Sequence, residues 1–309
     1  MKDKLTELAQ AHGFTQAAFI RYADAPKLRN SPPYEYAFDP KTLAILIYPV
    51  NEEAEFGAEQ AAVKDSYFFT SNKAHHALNG WINAARELGI ECAKARGISE
   101  KASAAAAGLG VIRRNTIMYT EEYGSGVSIQ TAVLSAEVDG KPLQFSVYSE
   151  SSCEDCAACV DACPTGALIG DGNIIKESCI RFHQMKPLAV PALFREHMTA
   201  LVGCDVCQAV CPANQNRRVK VSYAECRAFD IESLLEASGD TISALAELIG
   251  TNLAKRDRVQ AQAALIAGNT GCEKYLDSLQ KLSESPNEVV REHAAWAIDK
   301  IASRCSPSA

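Results

Sequence analysis

The sequence predicts a mixed α/β (α+β) fold in three parts, and three patterns support this division. Strand-like and helical stretches alternate through residues 1–148, which indicates an α/β domain. Closely spaced cysteines fill a central part, 149–228, and helical periodicity without strand signals runs through the last part, 229–309. A length of 309 residues is enough for about two packed domains by size alone.

The first part opens with a helical pattern that Gly13 ends, and a short strand follows. The next strand, 42–50, is almost wholly apolar, as expected for a sheet that is covered on both faces. A long amphipathic helix then ends at Gly89. In order, the predicted elements are helix 4–12, strands 17–21 and 42–50, helix 71–88, strand 90–96, helix 100–107 and strands 116–120, 125–138 and 143–148.

The last part is predicted to contain only helices, over about 231–248, 252–267, 272–283 and 287–303. The final helix keeps its apolar residues on one face after a Ser285-Pro286-Asn287 start. Because its helix pairs resemble HEAT-type repeats, we expect a HEAT-like segment of about one and a half units.

The central part carries two cysteine runs that predict iron–sulfur ligation. The first, from Cys153 to Pro164, reads C-x2-C-x2-C-x3-C-P, the bacterial ferredoxin pattern in which the fourth thiolate reaches a second [4Fe–4S] cluster. The second run, from Cys204 to Pro212, lacks the first cysteine of that pattern. Cys179 lies between the runs and supplies the eighth thiolate that two clusters need. We therefore expect a ferredoxin-like module with two [4Fe–4S] clusters.

In such runs the fourth cysteine binds the cluster of the other run, and this rule assigns the ligands. Cluster 1 is expected to bind Cys153, Cys156, Cys159 and Cys211, and cluster 2 to bind Cys163, Cys179, Cys204 and Cys207. Zinc sites of four cysteines are the main alternative, but zinc does not require the three-residue spacing followed by proline. Disulfides are disfavoured because the tight spacings would strain the paired thiols. Four further cysteines fit no ligand spacing: Cys92, Cys226, Cys272 and Cys305.

Composition narrows the class of protein. Twelve cysteines without an apolar signal at the start indicate a reducing compartment, so we expect a cytoplasmic protein. No apolar run approaches membrane-spanning length, and no membrane partner is expected. The formal net charge of −7 argues against broad, non-specific nucleic-acid binding but leaves room for a local basic patch.

Around these motifs the chain resembles the epoxyqueuosine reductase family, whose members use cobalamin and two clusters in tRNA modification. Beyond the cysteine runs, the matching stretches are Ala-Gly-Leu-Gly at 107–110, Asn115-Thr116, Glu-Tyr-Gly-Ser at 122–125, Gly203-Cys204-Asp205 and Val-Arg-Glu-His-Ala-Ala-Trp-Ala at 290–297. The resemblance implies a cobalamin-binding-like N-terminal domain beside the ferredoxin-like module. By position it also implies these corrinoid-binding residues: Gly108, Gly110, Asn115, Thr116, Tyr123, Gly124 and Ser125.

The chain departs from the family at the residue that gives the substrate a proton. The family has an Asp fourteen positions before the first Gly of Gly-Leu-Gly, and Lys94 stands at that place here. Lys94 is therefore the catalytic candidate, if burial lowers its pKa. The alternative proton donors are Tyr34, Tyr36 and Tyr67. The family's Trp, Gly and Lys after Gly-Leu-Gly are replaced by Val111, Arg113 and Arg114, which predicts a different pocket on the substrate side.

These patterns favour an iron–sulfur oxidoreductase of the epoxyqueuosine reductase type. Two clusters would pass electrons to a base-off cobalamin that reduces epoxyqueuosine in tRNA, or another substrate in a paralogue. One alternative is a two-cluster electron-transfer protein without corrinoid or catalysis. Another is a reductive-dehalogenase-like or corrinoid-reducing enzyme. The expected partners are tRNA and a low-potential electron donor of the flavodoxin or ferredoxin class.

Overall fold

The computed structural model describes residues 1–28, 31–64, 66–140, 153, 155–186, 188–214 and 218–305. The helices are α1 (Lys2–Ala11), α2 (Tyr67–Glu87), α3 (Glu100–Ala106), α4 (Ala158–Asp161), α5 (Ile180–Gln184), α6 (Ala192–Arg195), α7 (Val206–Ala209), α8 (Ile231–Glu236), α9 (Gly239–Ile249), α10 (Arg256–Thr270), α11 (Leu276–Leu282) and α12 (Glu288–Cys305). The strands are β1 (Gln16–Arg21), β2 (Thr42–Pro49), β3 (Glu52–Glu55), β4 (Ala62–Val63), β5 (Cys92–Lys94), β6 (Val111–Ile112), β7 (Met118–Tyr119), β8 (Val127–Leu134), β9 (Ala200–Val202) and β10 (Val219–Ser222).

A four-stranded sheet forms the N-terminal part, in the order β1-β2-β8-β5 with every neighbouring pair antiparallel. Strand β2 alternates its side chains between two cores. Ala44 and Leu46 pack with residues of α1 and α2, whereas Leu43, Ile45 and Ile47 pack with residues of α3. All five side chains are fully buried, which confirms the expectation of a sheet covered on both faces.

Most predicted elements of this part are present with shifted ends. Helix α2 begins at Tyr67 rather than at 71, β8 covers a shorter stretch than 125–138, and β5 is shorter than 90–96. The strand predicted over 116–120 is reduced to β7, which forms a two-stranded hairpin with β6. The strand predicted over 143–148 lies outside the described residues.

Two short parallel pairings join the cysteine-rich part to the N-terminal part. Strand β3 pairs with β10, and β4 pairs with β9. Gly203 directly follows β9 with φ +92°, and a Cβ built there would lie 1.8 Å from the Lys64 carbonyl oxygen. Only glycine allows this approach, so Gly203 fixes the path of the chain into Cys204.

The last part is helical, as predicted, but the helix expected over 231–248 is broken. Ala237 takes the left-handed conformation with φ 48°, and Ser238 then caps α9 by accepting a hydrogen bond from the Thr241 backbone N–H at 3.1 Å. The core of this part also includes Phe68 and Phe69 of α2 together with residues of β9. One hydrophobic core is therefore shared by all three parts of the chain.

Candidate iron–sulfur centres and central cavity

Four thiols surround a small cavity between α4 and the end of α7. Its lining includes Cys153, Cys156, Cys159 and Cys211, here called thiol set 1. Burial raises the pKa of Cys159, and the charges of the other three thiols raise it further. These are the four cysteines that the spacing assigns to cluster 1.

A second group of four thiols opens onto a larger space. Cys163, Cys179, Cys204 and Cys207, here called thiol set 2, line a cavity of about 400 Å³, here called the central cavity. Burial raises the pKa of Cys207 to about 12, and Cys204, Cys159, Cys179 and Cys163 also raise it. Because Cys159 belongs to set 1, Cys207 lies where the two sets adjoin.

Hydrogen-bond donors from the chain reach several of these sulfurs. The Ala167 backbone N–H donates to the Cys163 sulfur at 3.3 Å. Burial would raise the pKa of Cys163, but hydrogen bonds from Thr165 and Ala167 outweigh it and lower that pKa. The Arg113 guanidinium lies 3.9 Å from the Cys153 sulfur. Such contacts stabilise a thiolate, which is the form that binds a metal.

Three cysteines predicted to lie outside the ligand sets are packed elsewhere. Cys92 is buried in the core beneath the sheet, whereas Cys226 and Cys272 pack against the helical core. Among the described cysteines none forms a disulfide. In the described part of the chain, no three Cys, His, Asp or Glu side chains converge closely enough to hold a single metal ion.

The central cavity draws its walls from the N-terminal and cysteine-rich parts. Of the predicted corrinoid-binding residues, Asn115, Thr116 and Ser125 line it. Thr116 has φ 64°, an uncommon conformation for a β-branched residue that costs energy to hold. The Ser125 hydroxyl is buried and has no hydrogen-bond partner among the described residues.

The other predicted corrinoid-binding residues lie behind this wall. Gly108 follows α3 with φ 73°, and Tyr123 and Gly124 belong to the turn that leads into Ser125. A Cβ built on Gly110 would lie 2.4 Å from the Tyr119 carbonyl oxygen, so this glycine lets β6 approach β7. These four residues shape the loops and are not among the described residues that line the cavity.

Asn115 connects the cavity wall to the thiol sets. Its side-chain amide donates to the Tyr119 hydroxyl at 2.8 Å and to the Cys207 carbonyl at 3.2 Å. Burial raises the pKa of Tyr119 strongly, and a hydrogen bond with Cys211 raises it further. One buried polar network thus touches a cysteine from each set.

Lys94, the catalytic candidate from the sequence, lies outside the central cavity. It is exposed at the end of β5, and its Nζ donates to His75 Nδ1 at 3.2 Å. Burial lowers the pKa of His75, and the charge of Lys94 lowers it further. Lys94 lines an outer groove together with Tyr34 and Tyr36, two of the alternative proton donors.

Four residues with titratable side chains line the central cavity in addition to the thiols. Of these, the sequence suggested a role only for Tyr67, as an alternative proton donor. The others are Glu100, Lys101 and Arg181. Arg181 stacks on the Tyr67 ring with its guanidinium carbon 5.2 Å from the centroid. Lys101 donates to the Thr116 carbonyl at 2.6 Å, and burial lowers its pKa. Acidic residues are common in the first turn of a helix, where Glu100 lies, so its position in the sequence gave no functional signal.

Sequence and structure comparisons agree with these observations. Residues 152–214 match the family described as "4Fe-4S double cluster binding domain". The epoxyqueuosine reductase of Bacillus subtilis is 31% identical over 211 residues, which are 66% of this chain and 53% of that protein. The chain resembles the epoxyqueuosine reductases.

The likeness extends to the fold over nearly the whole chain. An epoxyqueuosine reductase solved with an epoxyqueuosine-modified tRNA-Tyr stem loop aligns with a TM-score of 0.75 at 21% identity, covering 97% of this chain and 90% of that one. A reductive dehalogenase whose structure suggests a mechanism for B12-dependent dehalogenation aligns with a TM-score of 0.50 at 17% identity, covering 82% of this chain and 37% of that one. In sequence, the matched region spans about half the length of the curated relative, 53%. None of the described helices is long and apolar enough to cross a bilayer.

Proposed function

We propose that this chain is an iron–sulfur reductase of the epoxyqueuosine reductase type. The observation that carries the proposal is the central cavity, because thiol set 2 lines the same space as Asn115, Thr116 and Ser125. An electron that leaves a cluster held by set 2 would enter a cavity large enough for a bound molecule.

In this proposal thiol set 1 holds one [4Fe–4S] cluster and thiol set 2 holds the other. The match of 152–214 to a double-cluster domain and the two separate groups of four thiols support this assignment. Electrons would enter at set 1 and pass to set 2 where Cys159 and Cys207 adjoin. The Arg113 guanidinium beside Cys153 would stabilise the more negative, reduced state of the first cluster.

The residues of the central cavity fit a base-off cobalamin. Apolar side chains, including Ile117, Val127 and Ile129, form one wall suited to a large ring. The unpartnered hydroxyl of Ser125 offers a hydrogen bond to a polar group on its edge. A bound cobalamin would supply strongly reducing metal chemistry, and the chain would orient it and exclude water.

The substrate in this proposal is epoxyqueuosine in tRNA. Support comes from the fold, because the relative solved with a modified tRNA stem loop aligns over 97% of this chain. The HEAT-like helical part and a cytoplasmic location belong to the same proposal, since free cluster-binding thiols persist in a reducing compartment. The electron donor would be a flavodoxin or ferredoxin, which are low-potential one-electron carriers.

The test is anaerobic reconstitution followed by turnover. We expect about eight iron and eight sulfide per chain. We also expect cobalamin to be retained through gel filtration and an epoxyqueuosine-containing stem loop to be reduced when a chemical reductant is supplied. Full cluster content without cobalamin retention would favour the two-cluster electron carrier. Cobalamin retention without turnover of this RNA would favour a paralogue with another substrate. Zinc without labile sulfide would overturn the proposal.

A further inference from the structure

The central cavity contains one carboxylate among the described residues that line it. This is Glu100, the first residue of α3. Lys94 lies six positions earlier, on the exposed end of β5, and lines the outer groove instead. The turn between β5 and α3 therefore presents a carboxyl to the cavity and an amine to the other side.

The surroundings of Glu100 raise the pKa of its carboxyl above the ordinary value. Burial raises the pKa of the carboxyl, and this effect exceeds the opposing influence of Lys94 and of a hydrogen bond with Thr131. The Thr131 hydroxyl is itself buried and makes no hydrogen bond of normal geometry among the described residues. A carboxyl whose pKa is raised keeps its proton to a higher pH, which suits it to act as a general acid.

The other charged groups at the cavity are engaged in contacts. Lys101 Nζ donates to the Thr116 carbonyl at 2.6 Å, and burial lowers its pKa with help from Arg181 and Lys176. Arg181 lies over the rings of Tyr67 and Phe68. Tyr67 also lines the cavity and has a proton to give, and the test below includes it.

We propose that Glu100 is the acid that gives a proton to the substrate in the central cavity, an inference that rests on the proposed reductase function. Reduction of an epoxide to an alkene takes two electrons and two protons, breaks both C–O bonds, forms the C=C bond and releases the oxygen as water. The electrons come one at a time from the flavodoxin-class or ferredoxin-class donor through the two clusters. The O–H bond of the Glu100 carboxyl breaks, and its proton goes to the departing oxygen. Water supplies the second proton and restores the acid.

Glu100→Gln tests this role, with Glu91→Gln as the matched control because Glu91 is exposed before β5. Both variants are prepared as the reconstituted holoprotein, and unchanged iron content confirms that the site is assembled. In a single turnover of the stem-loop RNA, we expect Glu100→Gln to be slowed about 100-fold or more, which is the usual contribution of a general acid. We expect Glu91→Gln to keep the wild-type rate within about twofold, and Tyr67→Phe, which changes the cavity lining, to be slowed less than Glu100→Gln.

A second measurement does not depend on turnover. Infrared difference spectra of the holoprotein between pH 6 and pH 9 report the C=O stretch of a neutral carboxylic acid. We expect wild type and Glu91→Gln to show this band at pH 7 and Glu100→Gln to lack it.

The two measurements separate failure of the acid from failure of the proposed function. A wild-type rate in Glu100→Gln, or loss of rate in Tyr67→Phe alone, would overturn the role of Glu100. If wild type does not reduce the RNA, the proposed substrate is wrong. The infrared result then decides whether Glu100 is a protonated acid in the cavity. A band that is absent from wild type, or that persists in Glu100→Gln, then overturns the inference, and a band lost only in Glu100→Gln supports it.

Discussion

His293 provides a test of how the helical part is joined to the cysteine-rich part. Its ring is fully buried, its Nε2 accepts a hydrogen bond from the Val190 backbone N–H at 2.9 Å, and its Nδ1 donates to the Ala261 carbonyl at 3.0 Å. The imidazole must be neutral to make both contacts. Burial lowers the pKa of His293 from 6.5 to about 4.

The lowered pKa of His293 sets how strongly the stability of the protein depends on pH. The stability that neutral His293 contributes is present above pH 6.5 and is lost as the pH falls toward 4. A difference of about 2.5 pH units corresponds to about 3.4 kcal/mol, of which about 2 kcal/mol is lost by pH 5. In a protein of this size, that loss lowers Tm by roughly 4 °C.

The assay compares wild type with His293→Gln by anaerobic scanning calorimetry at pH 7.5 and pH 5. We expect the variant to be less stable at pH 7.5, because Gln cannot reproduce both hydrogen bonds and the packing of the ring. The deficit should shrink by roughly 4 °C at pH 5, since at that pH the exposed ring of unfolded wild type is protonated whereas the buried ring is not, and the variant has no such group. His76→Gln, at an exposed position on α2, is the control and should track wild type at both pH values. A deficit in His293→Gln that is equal at both pH values would refute the reasoning.

Three further predictions concern the cysteine-rich part and the cavity. Cys207→Ala should lower the iron content from about eight to about four per chain, whereas Cys226→Ala should leave it unchanged in an iron and sulfide assay; equal losses would contradict the ligand assignment. Arg113→Leu should make one cluster's midpoint potential more negative by roughly 40 mV, because about 1 kcal/mol of stabilisation of the reduced state beside Cys153 is removed for a one-electron couple. A redox titration followed by electron paramagnetic resonance measures this shift, and an unchanged potential would refute it. Glu100→Gln should gain Tm relative to wild type as the pH rises from 5 to 8. Burial raises the pKa of Glu100, so the stability that its protonated form contributes to wild type is lost as the pH rises through that pKa. Parallel Tm curves for the two proteins would count against a desolvated carboxyl.

The features that the sequence predicted well are those with a strong local pattern. The apolar run of β2 and the one-sided helix α12 were both recognisable from residue periodicity. The cysteine spacing also indicated two groups of four, and the structure brings the same two groups of thiols together at two adjoining cavities. Assignment of each group to a cluster stays a prediction for the iron assay.

Other features depend on contacts that local patterns do not encode. The pairing of β4 with β9 joins strands of two and three residues, which are too short to show a period of two. The break at Ala237 comes from a left-handed residue that is neither Gly nor Asn. Alignment by position selected Lys94, but the fold of the turn before α3 decides which side chain faces the cavity, and that side chain is Glu100.

The dependence of the Cys204 segment on β4 has a consequence for biosynthesis. Gly203 sits against the Lys64 carbonyl, so the neighbourhood of Cys204 is complete only after β9 has docked on a strand made about 140 residues earlier. Cys211, the last of the eight thiols, leaves the ribosome later still. A nascent chain thus carries exposed thiols until that docking occurs, and delivery of iron and sulfide by the cell's assembly machinery has to follow translation of this region. Oxidation of those thiols in that interval would reduce the yield of cluster-loaded protein.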